Sequence, residues 1–284
     1  MKTSNPVLAR LGQAAERERA GYAPAGPYGQ PAYGPAGYGQ PGYGQPYPTT
    51  EGYQAAPPAV QPMTVDDVVV KTVALLGILA ASAAAAWVLV PDALLGAAWI
   101  GAAMVGLVLG LVISFSRMAN PALVVAYAVV EGVFVGMVSK FFNSVLGYDG
   151  IVLQAVVATF GVFFAMAMLY KARVIRATPK FTRGLIAVMG GLFAVMLINL
   201  VLSLFGVNTG LRGGGNPVVA IGFSLICIVV ASLSFVLSFH EVEEGVRMGL
   251  PQRYSWLAAF GILVSLVWLY LEILRLLSYF QGED

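Results

Sequence analysis

Seven apolar segments, each long enough to cross a lipid bilayer, constrain this chain more than any other feature of its sequence. Each segment has 20 to 23 residues, and about 20 residues of helix span the hydrocarbon core. Strands would leave edge hydrogen-bonding groups unpaired in lipid, which leaves helices as the economical solution. The sequence therefore predicts an all-α polytopic membrane protein with seven transmembrane helices, at residues 68–90, 94–115, 121–142, 151–170, 184–206, 217–239 and 256–277.

The composition excludes several functional classes. Hydrophobic residues make up 58% of the chain and charged residues 11%, which does not suit a soluble enzyme. One cysteine and one histidine exclude an intramolecular disulfide and the usual Cys/His zinc site. The sequence has no nucleophile elbow, P-loop or dinucleotide fingerprint, and Glu244 stands where a metalloprotease box would carry its second histidine. We expect no enzymatic activity and no cofactor.

The first 62 residues form a tail of a different composition. From Gly21 to Pro62 it is rich in Gly, Pro, Tyr, Gln and Ala, with Tyr-Gly-Gln-Pro repeated three times. Such a segment has too little aliphatic surface to offset its ordering entropy, so we predict disorder. It lacks an apolar signal-peptide core and should stay in the cytoplasm, as a solvated tether or as a self-associating or partner-binding tag. The predicted organisation is tail 1–62, membrane domain 63–280 and a short end, 281–284.

The lysines and arginines between the spans predict the orientation. Alternate loops, at 116–120, 171–183 and 240–255, hold eight basic residues. The opposite loops and span ends hold two, Lys140 and Arg212. Cytoplasmic loops carry such an excess, so the N-terminus is expected in the cytoplasm and the C-terminus outside. The basic loops are expected to face lipid headgroups rather than nucleic acid.

Ionisable residues within the spans are the candidate functional residues, because a charge in hydrocarbon is costly. Glu131 lies at the eleventh position of its 22-residue span, near mid-membrane. It is expected to exchange a proton or contact a cation. The alternative is a protonated side chain that only hydrogen-bonds a neighbouring helix. Glu272 lies in the last third of the seventh span and either belongs to the same path or forms an intrahelical ion pair with Arg275.

A cluster of His240, Glu241, Glu243 and Glu244 ends the sixth span. Histidine changes charge near neutral pH, so His240 and Glu241 are candidates for a pH sensor, and a plainly solvated loop is the alternative. Arg117 and Arg275 are possible latches that neutralise a buried acid in a closed state. Gly106 and Gly110, and likewise Gly132 and Gly136, have a spacing that permits close helix approach.

Three stretches of the sequence resemble a known family. They are Tyr127–Gly132, Thr178–Arg183 and Trp268–Ile273, the last reading Trp-Leu-Tyr-Leu-Glu-Ile. Together with the seven spans they resemble the Bax-inhibitor-1/YccA family over about residues 63–280, and more narrowly its actinobacterial branch, whose members carry Gly/Tyr/Pro/Gln-rich tails. The resemblance implies a bacterial plasma-membrane protein whose seventh helix lies at the centre of the other six.

The family resemblance also implies a function. Some members are proton-sensitive Ca²⁺ leaks, in which an acid at the end of the sixth span and an acid in the seventh act as a pH-sensing pair. The seventh-span acid corresponds to Glu272. The sixth-span position falls at His240, and a cationic histidine would repel Ca²⁺ where a carboxylate attracts it. The tail suggests the alternative, a non-conducting regulator that engages a membrane-bound protease through residues 1–62, as YccA-type members do.

Overall fold

The computed structural model describes residues 61–116, 120–206 and 217–282. Within these ranges, seven helices are long and apolar enough to cross a membrane, which confirms the all-α seven-span prediction. The tail residues 1–60, Arg117 and Arg212 lie outside the described residues, and what was predicted of them stays a prediction. The helices are α1 Val65–Leu89, α2 Leu95–Phe115, α3 Pro121–Lys140, α4 Ile151–Lys171, α5 Pro179–Leu204, α6 Pro217–Arg247 and α7 Ser255–Gln281.

Local capping signals set where the first and third helices begin. Thr64 caps α1 through a capping box, in which its hydroxyl accepts from the Asp67 amide at 3.1 Å and the Asp67 carboxylate accepts from the Thr64 amide at 3.0 Å. Asn120 caps α3, accepting from the Ala122 amide at 3.0 Å, with Pro121 at the first helical position. The Thr64 cap starts α1 at Val65, three residues before its apolar run begins at Val68.

Two predicted loops are partly helical, which corrects the expected boundaries. The prediction of a loop at 240–255 is wrong for its first half, because α6 continues to Arg247. Likewise α5 begins at Pro179, so Lys180 and Arg183 belong to its first turns. An apolar run marks the part of a helix that lies in hydrocarbon, whereas polar residues continue the same helix into water without loss of backbone hydrogen bonds.

Helix α7 lies at the centre of the bundle, as the family resemblance implied. It packs against α1, α3, α4 and α6, whereas α5 packs at the edge against α6. Leu263, Leu269 and Leu274 of α7 have no exposed surface. With 27 residues α7 is about 40 Å long, enough to cross the bilayer completely.

The register of α7 against its neighbours follows from three contacts. The Ser234 hydroxyl of α6 lies 3.1 Å from that of Ser265, and these two helices are antiparallel. The ring centroids of Tyr127 in α3 and Phe260 are 4.9 Å apart, and the hydroxyls of Ser139 and Tyr270 are 2.7 Å apart. Residue numbers rise together in these two pairs, so α3 and α7 run parallel.

We name the two ends of the bundle by α1, which begins at the proximal end and finishes at the distal end. The proximal end carries the starts of α1 and α7, which are joined by the Met63 amide and the Leu250 carbonyl at 2.7 Å. The Gln252 side chain also donates to the Asp67 carboxylate at 2.6 Å. The distal end carries the end of α1 at Leu89 and the start of α4 at Ile151.

Helices α1 and α3 approach most closely at two glycines of α3. A Cβ atom at Gly132 would overlap the Leu79 carbonyl and lie 2.7 Å from the Ser82 hydroxyl. At Gly136 it would lie 2.5 Å from the Ala83 carbonyl oxygen. Because the nearest neighbour at each position is a backbone carbonyl that cannot move aside alone, a side chain at either position would force the helices apart.

We expect Gly132→Ala to destabilise the protein by about 1–3 kcal/mol, the usual cost of overpacking a close contact. Gly161→Ala of α4 is the matched control, because a Cβ there meets no atom within 4 Å. Thermal unfolding in detergent measures both variants. Equal melting temperatures for the two would contradict the close α1–α3 contact.

Candidate functional site

Glu272 is an acidic side chain enclosed within the bundle on α7. The residue is 1% exposed, and its Oε1 accepts a hydrogen bond from Arg275 Nη1 at 3.1 Å. The Arg275 side chain is 25% exposed. Residues three apart on a helix lie on the same face, so the arginine sits over the acid one turn towards the distal end. The pair therefore brings opposite charges together inside the bundle.

Glu272 and His240 lie far apart along the bundle. The contact between Ser234 and Ser265 sets the level at which α6 and α7 meet. His240 is six residues from Ser234 towards the proximal end, and Glu272 is seven residues from Ser265 towards the distal end. Thirteen residues of helix correspond to about 20 Å. The structure therefore does not bring together the two positions that the family resemblance pairs.

Glu131 lies on α3 at its contact with α2. A Cβ atom at Gly106 of α2 would come within 2.9 Å of Glu131 Oε2, so the glycine makes room for the carboxylate. The acid also forms a side-chain hydrogen bond with Tyr127, one turn earlier on α3. The ring of Tyr127 packs edge-on against Phe260 of α7. Glu131 is thus half-buried between two helices and reaches the central helix through Tyr127.

The two membrane acids occupy different levels of the bundle. Glu131 precedes Ser139 by eight residues on α3, and Ser139 meets Tyr270. Glu272 lies two residues beyond Tyr270 in the same direction. The axial separation is therefore about 15 Å at 1.5 Å per residue. One cation cannot touch both carboxylates in this arrangement, so any shared role would use them in succession.

The acidic cluster at the proximal end of α6 is spread around the helix. His240 is half-buried and Glu241 is exposed. Glu243 accepts a hydrogen bond from the Tyr170 hydroxyl of α4 at 2.6 Å, and Glu244 forms an ion pair with Arg247. Among the described residues, no group of three or more His, Cys, Asp or Glu side chains could hold a metal ion.

Several buried polar contacts were missed by the sequence analysis. The hydroxyls of Ser234 and Ser265 meet between α6 and α7, and those of Ser139 and Tyr270 meet between α3 and α7. The partner of Glu131, Tyr127, has a weak signal in its spacing of four residues. Serine and tyrosine are too frequent in this chain for spacing alone to identify the interhelical pairs.

We expect Arg275→Leu to destabilise the protein by about 3 kcal/mol, because it leaves the Glu272 carboxylate without this cation in the bundle. The double variant Glu272→Leu plus Arg275→Leu should recover most of that loss, since it removes both charges. The free energies of unfolding of Arg275→Leu, Glu272→Leu and the double variant, measured in detergent, give the coupling energy between the two side chains.

The matched control is the pair Glu244 and Arg247, which has the same spacing but a 73% exposed arginine side chain. Removing one partner there should cost less than about 1 kcal/mol. Equal costs at the two pairs would contradict a buried, structurally coupled Glu272.

Comparison with known proteins identifies the fold at the level of a family. The family model described as "Bax inhibitor 1 like" matches residues 5–282, which is nearly the whole chain and includes most of the tail. No curated protein matches the chain.

Proposed function

The chain belongs to the family of Bax inhibitor 1 like proteins, and from this premise we propose that it is a proton-sensitive leak for Ca²⁺ or H⁺ across the bacterial plasma membrane. The observation that carries the proposal is the carboxylate of Glu272, 1% exposed on the central helix and neutralised by Arg275. Buried ionisable groups in membrane helices are costly and commonly serve transport.

The ion pair between Glu272 and Arg275 supplies a gate that responds to protons. Arginine keeps its charge at all physiological pH values. A proton that binds Glu272 therefore ends the ion pair and leaves the guanidinium without its partner. The arginine then gains by moving towards the water at the distal end, and this favours a displaced α7 over the closed arrangement. The open population should rise as the pH falls.

Glu131 supplies a second oxygen site on the path. Hard cations such as Ca²⁺ prefer oxygen ligands, and carboxylates bind them most strongly. A cation or proton that leaves Glu131 would travel about 15 Å along α3 and α7 to reach the level of Glu272. Ser139 and Tyr270 lie between these levels, where their hydroxyl groups hydrogen-bond to each other. The proximal end, where the basic loops predict the cytoplasm, would be one mouth of this path.

We expect Glu272→Gln to abolish the pH dependence of Ca²⁺ flux into proteoliposomes, because the amide cannot bind the gating proton. Glu131→Gln should lower the flux about tenfold, the effect of losing roughly 1.4 kcal/mol of cation binding. Flux is measured between about pH 6 and 8, where a histidine-dependent response would also appear. Asp149→Asn, an exposed acid in the α3–α4 loop, is the matched acid-to-amide control.

His240 is tested in the same assay as a separate proton site. If His240→Gln removes the pH response while Glu272→Gln keeps it, the sensor lies at the proximal end and the gate proposed at Glu272 is wrong. Flux that survives unchanged in Glu131→Gln plus Glu272→Gln would contradict the ion path itself.

A chain that passes no ion would favour the regulatory alternative, which depends on the composition of the tail. The composition of this tail, rich in Gly, Pro, Tyr and Gln, predicts a segment that does not fold by itself, and a membrane-bound protease could engage such a segment. Deletion of residues 1–62 should then abolish association with the protease in native membranes while leaving the seven-helix domain folded. Unchanged association would contradict this alternative.

A further inference from the structure

A deep cleft lies between α1 and α4 in the distal half of the bundle. Both helices pack on α7, and the space left between them has a volume of about 470 Å³. Ala80 and Ala84 line one side, Val156 and Phe160 the other, and Val267 and Tyr270 the back. The front is open to the outside of the bundle, since Val156 and Phe160 are 36% and 37% exposed, whereas Val267 and Tyr270 are buried.

The hydroxyl groups in the cleft wall are occupied by protein partners. Ser139 donates to the Val135 carbonyl at 2.6 Å, so the proton in its 2.7 Å contact with Tyr270 comes from the tyrosine. Thr159 donates to the Ala155 carbonyl at 2.7 Å. The remaining wall is aliphatic and aromatic. Water does not fill a cavity of this kind, and a polar ligand would lose its hydrogen bonds there.

An ion pair lies at the level of the distal end of the cleft. Lys140 Nζ lies 2.8 Å from an Asp92 carboxylate oxygen and 2.8 Å from the Val90 carbonyl. Lys140 directly follows Ser139 in α3, and Val90 lies two residues beyond Val88 in α1. Since Ser139 and Val88 line the cleft, the ion pair lies at the level of its distal end, just beyond the lining residues. Trp87 also lines it at this end, where aromatic residues commonly mark the membrane interface.

We propose that the cleft binds one acyl chain of a membrane phospholipid, whose headgroup lies at the Lys140–Asp92 ion pair. The apolar walls and the polar distal end reproduce the two parts of such a molecule. The opening faces the bilayer, which supplies lipid at high concentration. The volume falls within the range of about 300–1,000 Å³ that is usual for ligand pockets. Because lipid tails are as apolar as the walls, the gain comes from filling a void and restoring dispersion contacts.

Ser139 and Tyr270 line this cleft and also lie at the level between the two membrane acids, but lipid binding does not depend on ion conduction. The cleft faces the bilayer between α1 and α4, whereas Glu131 lies at the contact of α3 with α2. A chain that conducts no ion would still hold the lipid.

The experiment is photo-crosslinking in nanodiscs of the full chain with phosphatidylcholine that carries a diazirine on one acyl chain. Leu266 and Val267 are 3% and 6% exposed, so an acyl chain reaches them only through the cleft. We expect mass spectrometry to find label on these α7 residues. Ala84→Trp, which fills the cleft from α1, should reduce that label at least fivefold.

Ala81→Trp is the matched control, because Ala81 is exposed on α1 but does not line the cleft. It should leave the α7 label unchanged, and in both variants the label on the outward-facing Leu153 should persist. Val156→Trp fills the cleft from α4 and should reduce the α7 label in the same way. It replaces Ala84→Trp in the test if thermal unfolding shows that Ala84→Trp does not fold. Absent α7 label in the native protein, or label unaffected by both filling variants, would overturn the proposal.

A second probe tests the headgroup and the other possible occupant. A diazirine diacylglycerol with the same chains lacks the phosphate and should label α7 at least threefold less than the phosphatidylcholine probe. Lys140→Met should remove that preference. Equal labelling of the native protein by the two probes would contradict the headgroup position. Labelling by a free diazirine hydrocarbon alone would assign the cleft to a small apolar ligand and overturn the lipid proposal.

Discussion

The bilayer gives a polar group no partner, and every level of this structure follows from that constraint. Backbone groups are satisfied within helices, so the chain crosses the membrane as helices. Side chains obey the same rule: serine hydroxyls donate to carbonyls one turn back or to a hydroxyl of the next helix. The acid on the central helix carries an arginine one turn away. Polar groups that remain in the bundle are therefore concentrated at helix contacts rather than on the lipid-facing surface.

The position of α7 determines how far the polar groups can cooperate. Because α7 packs on four other helices, a displacement of α7 at Glu272 would alter its contacts with all four. Glu131 contacts Tyr127, whose ring packs on Phe260 of α7, and His240 lies about 20 Å from Glu272 along the helices. The arrangement separates these side chains, so under the proposed function they would act in succession rather than as one shared acidic pair. It also gives the ion pair of Glu272 a larger structural role than its spacing alone suggests.

The peripheral helices contribute in another way. The glycines of α3 bring α1 close on one side, while α4 packs on α7 without closing the gap to α1. A cleft remains where a well-packed soluble protein would have a side chain, and in a membrane that gap opens onto lipid. The same small residues that allow tight packing of one helix pair leave space beside it. In the proposed arrangement, a lipid acyl chain fills the space that the protein side chains leave between these helices.

The amino-acid sequence by itself determined the seven helices and their order, because apolar length is a local property. It also singled out Glu131, Glu272 and Arg275, since a charge in hydrocarbon is rare enough to be noticed alone. Only the tertiary structure decided that Glu131 faces a glycine of α2 and that Glu272 lies far from His240. Those facts depend on the rotation and register of helices against one another, which are set by side-chain packing between distant segments and leave no local pattern in the chain.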